Sequence, residues 1–101
     1  LEKYLHDHIP ISQALGLKVL VAGPERVLLS APLEPNINHR NTAFGGSIAA
    51  VATLAGWTWM HVMLRERSSL PRVVIRSSKI DYLLPIDHDF TAELRPPTEE
   101  A

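Results

Sequence analysis

Two adjacent glycines, Gly45 and Gly46, open a stretch without formal charge that runs to Leu64. A polar loop holding Asn36, Asn38, His39, Asn41 and Thr42 leads into them. Glycine at a helix start leaves the backbone bare to an approaching group. The N–H groups of a first turn have no acceptor inside the helix. With the helix dipole, those donors can hold negative charge developing on an oxygen. The same glycines would also permit close packing of a helix on a sheet, a purely architectural use. Asn38 can bind a carbonyl or a water, or it can shape the loop. His39 is the only His in that loop and its best acid–base candidate, with bracing of the loop an equal alternative.

The other polar residues are weaker candidates. His6 and His8 alternate on a short helix and are expected to be solvated. Asp87, His88 and Asp89 form a turn, and no His and carboxylate set has a metal-ligand spacing, so neither metal nor cofactor is expected. Asn36 reads as shaping the turn after Pro35. Ser77 and Ser78 read as polar strand positions, and Trp57, Trp59 and Met60 as core or interface. Arg40, Arg65, Arg67 and Arg72 could meet phosphates, although a solvated surface explains them as well.

The elements that must position these residues follow from pattern. Leu1 to Leu15 reads as two short helical turns kinked at Pro10. Leu17 to Val21 and Arg26 to Leu33 read as a hairpin around the turn Ala22-Gly23-Pro24-Glu25. After the loop Glu34 to Thr42, one long helix is expected over about Ala43 to Arg65, with Arg65 and Arg67 at its negative end. A long strand from Arg72 to Leu84 follows. Next come a turn at Pro85-Ile86-Asp87-His88, a strand from Asp89 to Arg95, and a loop that Pro96 and Pro97 keep out of any sheet. Strands with a single long apolar helix predict an α+β fold, an antiparallel sheet curled around that helix.

Composition narrows the function. The chain has 101 residues, 46% hydrophobic and 21% charged, with a net charge of −1, the profile of one soluble globular domain. That charge balance argues against nucleic acid as a partner. There is no Cys, so disulfides, zinc-thiolate sites and a cysteine nucleophile are excluded, and a reducing, cytoplasmic setting is expected. Gly45 to Leu64 meets the length rule for a membrane span. Its Gly, Ala, Ser and Thr content, His61 and the surrounding strands favour a buried core helix, with no membrane partner.

The run Asn36-Ile37-Asn38-His39-Arg40-Asn41-Thr42-Ala43-Phe44-Gly45-Gly46 resembles the hotdog thioesterase pattern of an Asn, a loop, then His-Gly-Gly opening the central helix. Lys79-Ile80-Asp81-Tyr82-Leu83-Leu84-Pro85 resembles the strand-ending aromatic-x-x-Pro element of the same superfamily. With Ala52-Thr53-Leu54-Ala55-Gly56-Trp57, the chain is similar to the thioesterase domain found at the C-terminus of some bacterial acetyltransferase-like proteins. The resemblance implies a hotdog fold over residues 1–101, with the last strand or strands lacking. It also implies an acyl thioester of coenzyme A or acyl carrier protein as substrate. Asn38, His39, Gly45, Gly46 and Thr53 are the implied catalytic positions.

Two departures bear on the chemistry. Phe44 stands where the family pattern has His, and it can pack but cannot donate a hydrogen bond. Thr53 stands where many members carry Asp or Glu, and Thr is no general base near neutral pH; its hydroxyl can orient water or donate to an oxygen. Gly45 and Thr53 are also about 12 Å apart along one helix, so joint action needs two subunits. A homodimer with the site at its interface is expected, with a dimer of dimers as the further option. Three function classes stay open: thioester hydrolysis, decarboxylation of a malonyl thioester, and acyl binding or dimerisation without catalysis.

Overall fold

The computed structural model describes residues 1–64 and 81–96. In chain order the elements are α1 (Glu2–His8), α2 (Pro10–Ala14), β1 (Lys18–Gly23), β2 (Arg26–Ala31), a 3₁₀ turn (Glu34–Asn36), α3 (Gly45–Leu64) and β3 (Phe90–Leu94). Pro10 begins α2, the helical position where its missing N–H leaves nothing unsatisfied. Gly16 follows α2 with φ 71°, and a Cβ there would sit 2.9 Å from the Pro32 ring. Both the left-handed backbone and the close approach require glycine at this turn.

The described strands form one antiparallel sheet in the order β1-β2-β3. The expected hairpin turn is shorter than its sequence suggests. Ala22 and Gly23 pair with Val27 and Arg26, which leaves only Pro24 and Glu25 in the loop. β2 ends at Ala31 rather than Leu33, because Pro32 has no N–H to give the ladder. β3 is one residue shorter at each end than expected. The Asp89 carboxylate instead accepts the Leu33 N–H at 2.8 Å. The expected strand from Arg72 to Leu84 falls mostly on residues 65–80, outside the described residues, and residues 81–84 are not strand.

Alternation along β2 buries Val27, Leu29 and Ala31, as a central strand requires. Against them α3 turns Val51, Leu54, Ala55, Thr58 and Val62, a stripe at three- and four-residue spacing. Leu5, Leu15 and Leu17 from the N-terminal turns join the same core. The Trp59 Nε1–H donates to the Pro24 carbonyl at 2.9 Å, tying α3 to the hairpin. Tyr4 ties α1 to α3, its ring 4.1 Å from that of His8 and 4.9 Å from that of His61. His6 is not simply solvated as expected. It is half-buried, with Nε2 2.9 Å from the Leu17 carbonyl oxygen.

On the exposed side of the sheet Arg26 pairs with Glu93. The Arg26 hydrogen bond is the main cause holding the Glu93 carboxyl below its ordinary value. Solvent screening keeps such a surface pair worth little to stability.

Gly45–Leu64 is long and apolar enough to cross a membrane by length and composition. Here it is the core helix, with one stripe packed on all three strands. Most of its other residues are half-buried, and Met60 and Met63 are exposed. Leu29 is fully buried at the centre of β2. Leu29→Ala is expected to cost about 2–5 kcal/mol, read as a lower urea midpoint at unchanged slope.

Candidate active site

The loop ahead of α3 is organised by one side chain. The Asn38 Oδ1 accepts the N–H of Arg40 at 2.8 Å and that of Thr42 at 3.2 Å. Its Nδ2 donates to the Thr42 Oγ1 at 2.8 Å and weakly to the Ala43 carbonyl at 3.5 Å. The Asn38 N–H donates to the Thr42 carbonyl at 2.8 Å. Asn41 lies in the left-handed region, φ 61°, which Asn tolerates better than other residues with a Cβ. The loop is a closed turn whose Asn38 amide is held by its own neighbours.

Two further bonds set where the helix begins. The Ala43 N–H donates to the Ile86 carbonyl at 2.7 Å, and the Phe44 N–H to the Asn36 carbonyl at 2.6 Å. Ala43 also forms an isolated bridge with Ile37. It is therefore extended, and α3 starts at Gly45 rather than at Ala43. Asn36 is more than a turn former: it is buried, and its Nδ2 donates to the carbonyls of Leu15 and Pro32, both at 2.8 Å.

At the start of α3, the N–H groups of Gly45 and Gly46 meet no acceptor among the described residues. The Tyr82 ring lies on Gly45, where a Cβ would come within 3.4 Å of its Cε1. Tyr82 also donates its hydroxyl to the Gly45 carbonyl at 2.9 Å. A Cβ on Gly46 would sit 2.6 Å from the exposed Phe44 ring. Phe44 thus does what the sequence allows it, packing without donating.

These residues surround a cavity of about 320 Å³, lined by Asn38, Thr42 and Gly45 on one side and by Tyr82 to Ile86 on the other. Ile48 and Ile86 separate it from a larger cleft of about 450 Å³ between α3 and β3. No group of three or more His, Asp or Glu among the described residues is placed to hold a metal ion.

The whole chain, residues 1–101, matches the family model described as "Putative thioesterase (yiiD_Cterm)". The chain belongs to this thioesterase family. Among solved structures it is similar to a protein of unknown function from Chlorobaculum tepidum, with 34% identity and a TM-score of 0.90 over 98% of this chain and 61% of that one. It is similar also to a thioesterase-family protein from Shewanella oneidensis, with 30% identity and a TM-score of 0.87 over 95% of this chain and 71% of that one. The phenylacetic acid degradation protein PaaI of Thermus thermophilus, in a mutant form, shares 28% identity at a TM-score of 0.64 over 83% of this chain and 68% of that one. The fold is the hotdog fold, and the chain spans 61% to 71% of the length of these solved chains.

Within this thioesterase domain the cavity brings together Asn38 and Gly45 of the five expected positions. Gly46 follows in the same first turn, exposed beneath Phe44. His39 is exposed and lies outside the cavity lining. Thr53 is half-buried on α3 and also outside the lining, about 12 Å further along the helix axis than Gly45. Sequence reasoning passed over Thr42, whose hydroxyl accepts from Asn38 and whose side lines the cavity. The four-residue spacing of Asn38 and Thr42 around a turn was the available signal. It also passed over Ile86, whose carbonyl sets the start of the helix from 43 residues away (Ala43 to Ile86).

Proposed function

We propose that this domain hydrolyses acyl thioesters of coenzyme A or acyl carrier protein, at a site that two copies of the chain complete. The observation that carries the reading is the first turn of α3 beside the Asn38–Thr42 turn, with its Gly45 and Gly46 N–H groups without an acceptor among the described residues, in a chain of this family. The thioester oxygen lies against the first-turn N–H donors. Water adds to the carbonyl carbon, and the resulting oxyanion is held by those donors and the helix dipole. The C–S bond then breaks, giving the carboxylic acid and the free thiol. Thr53 of a second copy, with its hydroxyl, orients the water, and His39, in the loop ahead of α3, carries the water's proton to the departing sulfur. The apolar cleft beyond Ile48 and Ile86 suits an aliphatic acyl tail. Exposed Phe44, Met60, Met63, Leu83 and Leu84 supply apolar surface of the kind a dimer interface covers.

One observation favours decarboxylation of a malonyl thioester as a second reading. Among the described residues lining the small cavity there is no Asp or Glu, and Thr53 replaces the carboxylate many relatives carry. Decarboxylation breaks a C–C bond, releases CO₂ and passes the electron pair to an enolate oxygen. It needs oxyanion donors and a proton from water, but no general base.

Incubation with acetyl and malonyl thioesters decides between them. Free thiol from the acetyl substrate is the expected result. Acetyl thioester formed from malonyl thioester would establish the second reading. With neither product, turnover of these two substrates is excluded, and the same outcome with a long-chain acyl thioester leaves the acyl-binding or dimerisation role.

A further inference from the structure

We infer that Tyr82 is a positioning residue that sets the direction and strength of the Gly46 N–H donor by holding the opposite end of the same peptide unit. The inference rests on the thioester reading of the site for its catalytic consequence, but not for the physical link itself. The Tyr82 hydroxyl donates to the Gly45 carbonyl oxygen at 2.9 Å. That oxygen and the Gly46 N–H are the two ends of one planar peptide group. A hydrogen bond at the oxygen draws electron density away from the nitrogen and makes its N–H a stronger donor. Because the group is rigid, fixing the oxygen also fixes the tilt of the N–H.

Three observations separate this from incidental contact. A helix carbonyl already accepts the N–H four residues on, so the Tyr82 bond is an addition that the helix does not require. Tyr82 is 55% exposed, so its hydroxyl could be satisfied by water, and burial does not force it onto Gly45. The ring nonetheless packs on the one face of Gly45 where a side chain would intrude, with the positions of Cε1, Cζ and Oη at 3.4, 3.5 and 3.6 Å from a built Cβ. The segment carrying Tyr82 is anchored a second time by the Ala43 N–H on the Ile86 carbonyl at 2.7 Å. Tyr82 and Ile86 therefore meet the start of the helix from both ends of one wall of the cavity. The arrangement holds a peptide orientation that a glycine pair, free in φ and ψ, would not keep alone.

The test is Tyr82→Phe in the whole chain, which keeps the ring and removes only the hydroxyl. Thermal unfolding, the ¹⁵N–¹H spectrum, kcat and KM on acetyl and malonyl thioesters are compared with the parent. The expected result is a shifted Gly46 amide resonance, unshifted resonances from Leu54 to Leu64 in the later turns of α3 and an unchanged melting temperature. Loss of one neutral hydrogen bond should lower kcat on the order of three- to tenfold, with KM changed by less than about twofold. An unmoved Gly46 resonance overturns the inference whatever the kinetics. So does a rise in KM with kcat retained, since that marks a wall of the cavity rather than a tuned donor. If the parent turns over neither thioester but the Gly46 resonance still shifts, the link between Tyr82 and the peptide stands and the thioester reading fails.

Discussion

Asn38→Ala is expected to lower kcat/KM on a thioester on the order of a hundredfold, equivalent to about 3 kcal/mol of lost transition-state stabilisation. The side chain serves in two ways that one substitution removes together. Its amide accepts the N–H groups of Arg40 and Thr42 and donates to the Thr42 hydroxyl, so the turn ahead of α3 loses its internal frame. It also lines the cavity beside Gly45, within the site where a substrate oxygen would lie. Thr42→Val separates the two uses, because it removes the hydroxyl that receives Nδ2 and leaves Asn38 in place. If Asn38 works by framing the loop, Thr42→Val reproduces a large share of the loss. If the Asn38 amide is itself the ligand, Thr42→Val leaves the rate nearly intact. A folded Asn38→Ala protein with parental turnover on both thioesters would reduce Asn38 to loop architecture alone. Unfolding curves for both variants guard against a global effect.

Thr53→Asp carries the other large expectation, and its sign depends on the reaction. For hydrolysis, a carboxylate supplies the base that many relatives carry. Positioned general bases contribute on the order of a hundredfold or more, so free thiol is released faster. For decarboxylation, the new carboxylate faces the substrate's own. Two like charges about 5 Å apart at an effective dielectric of about 20 repel by about 3 kcal/mol, so the malonyl reaction slows on the order of a hundredfold. Because Thr53 is about 12 Å along the helix from Gly45 of its own chain, both effects operate across the expected dimer interface. They should vanish in a variant held monomeric. A melting curve accompanies the assay, since Thr53 is half-buried and an unpaired carboxylate there is costly. A folded variant with unaltered rates on both substrates would leave Thr53 as helix packing.

Much of the architecture was legible because it follows from short-range pattern. β2 alternates in the hydrophobic register that a central strand needs, and its buried Val27, Leu29 and Ala31 fall on the face that alternation predicts. The uncharged run from Gly45 had to be buried by something, and the hairpin before it gave a sheet to do so. Element ends were less legible, since they turn on single hydrogen bonds. The Ala43 N–H, taken by Ile86, moves the helix start by two residues, and the paired Ala22 and Gly23 shorten the hairpin loop.

The sequence by itself determined the chemical inventory of the site: a glycine pair with orphan N–H donors, an Asn and a His just before them, and a Thr where an acid is common. Those facts depend on residue type and on neighbours within a few positions. Only the tertiary structure decided which of them meet. The Tyr82 hydroxyl reaches a carbonyl 37 residues away, His6 caps the carbonyl of Leu17, and buried Asn36 joins the N-terminal turn to the start of α3. His39 and Thr53, candidates beside Asn38 on paper, do not line the cavity that Asn38 lines. The physical reason is range. Helix and strand periods are set by contacts a few residues apart, whereas a side chain's partner across the fold depends on how the intervening chain returns. That return is fixed by packing against the core rather than by any local preference of the residues that meet.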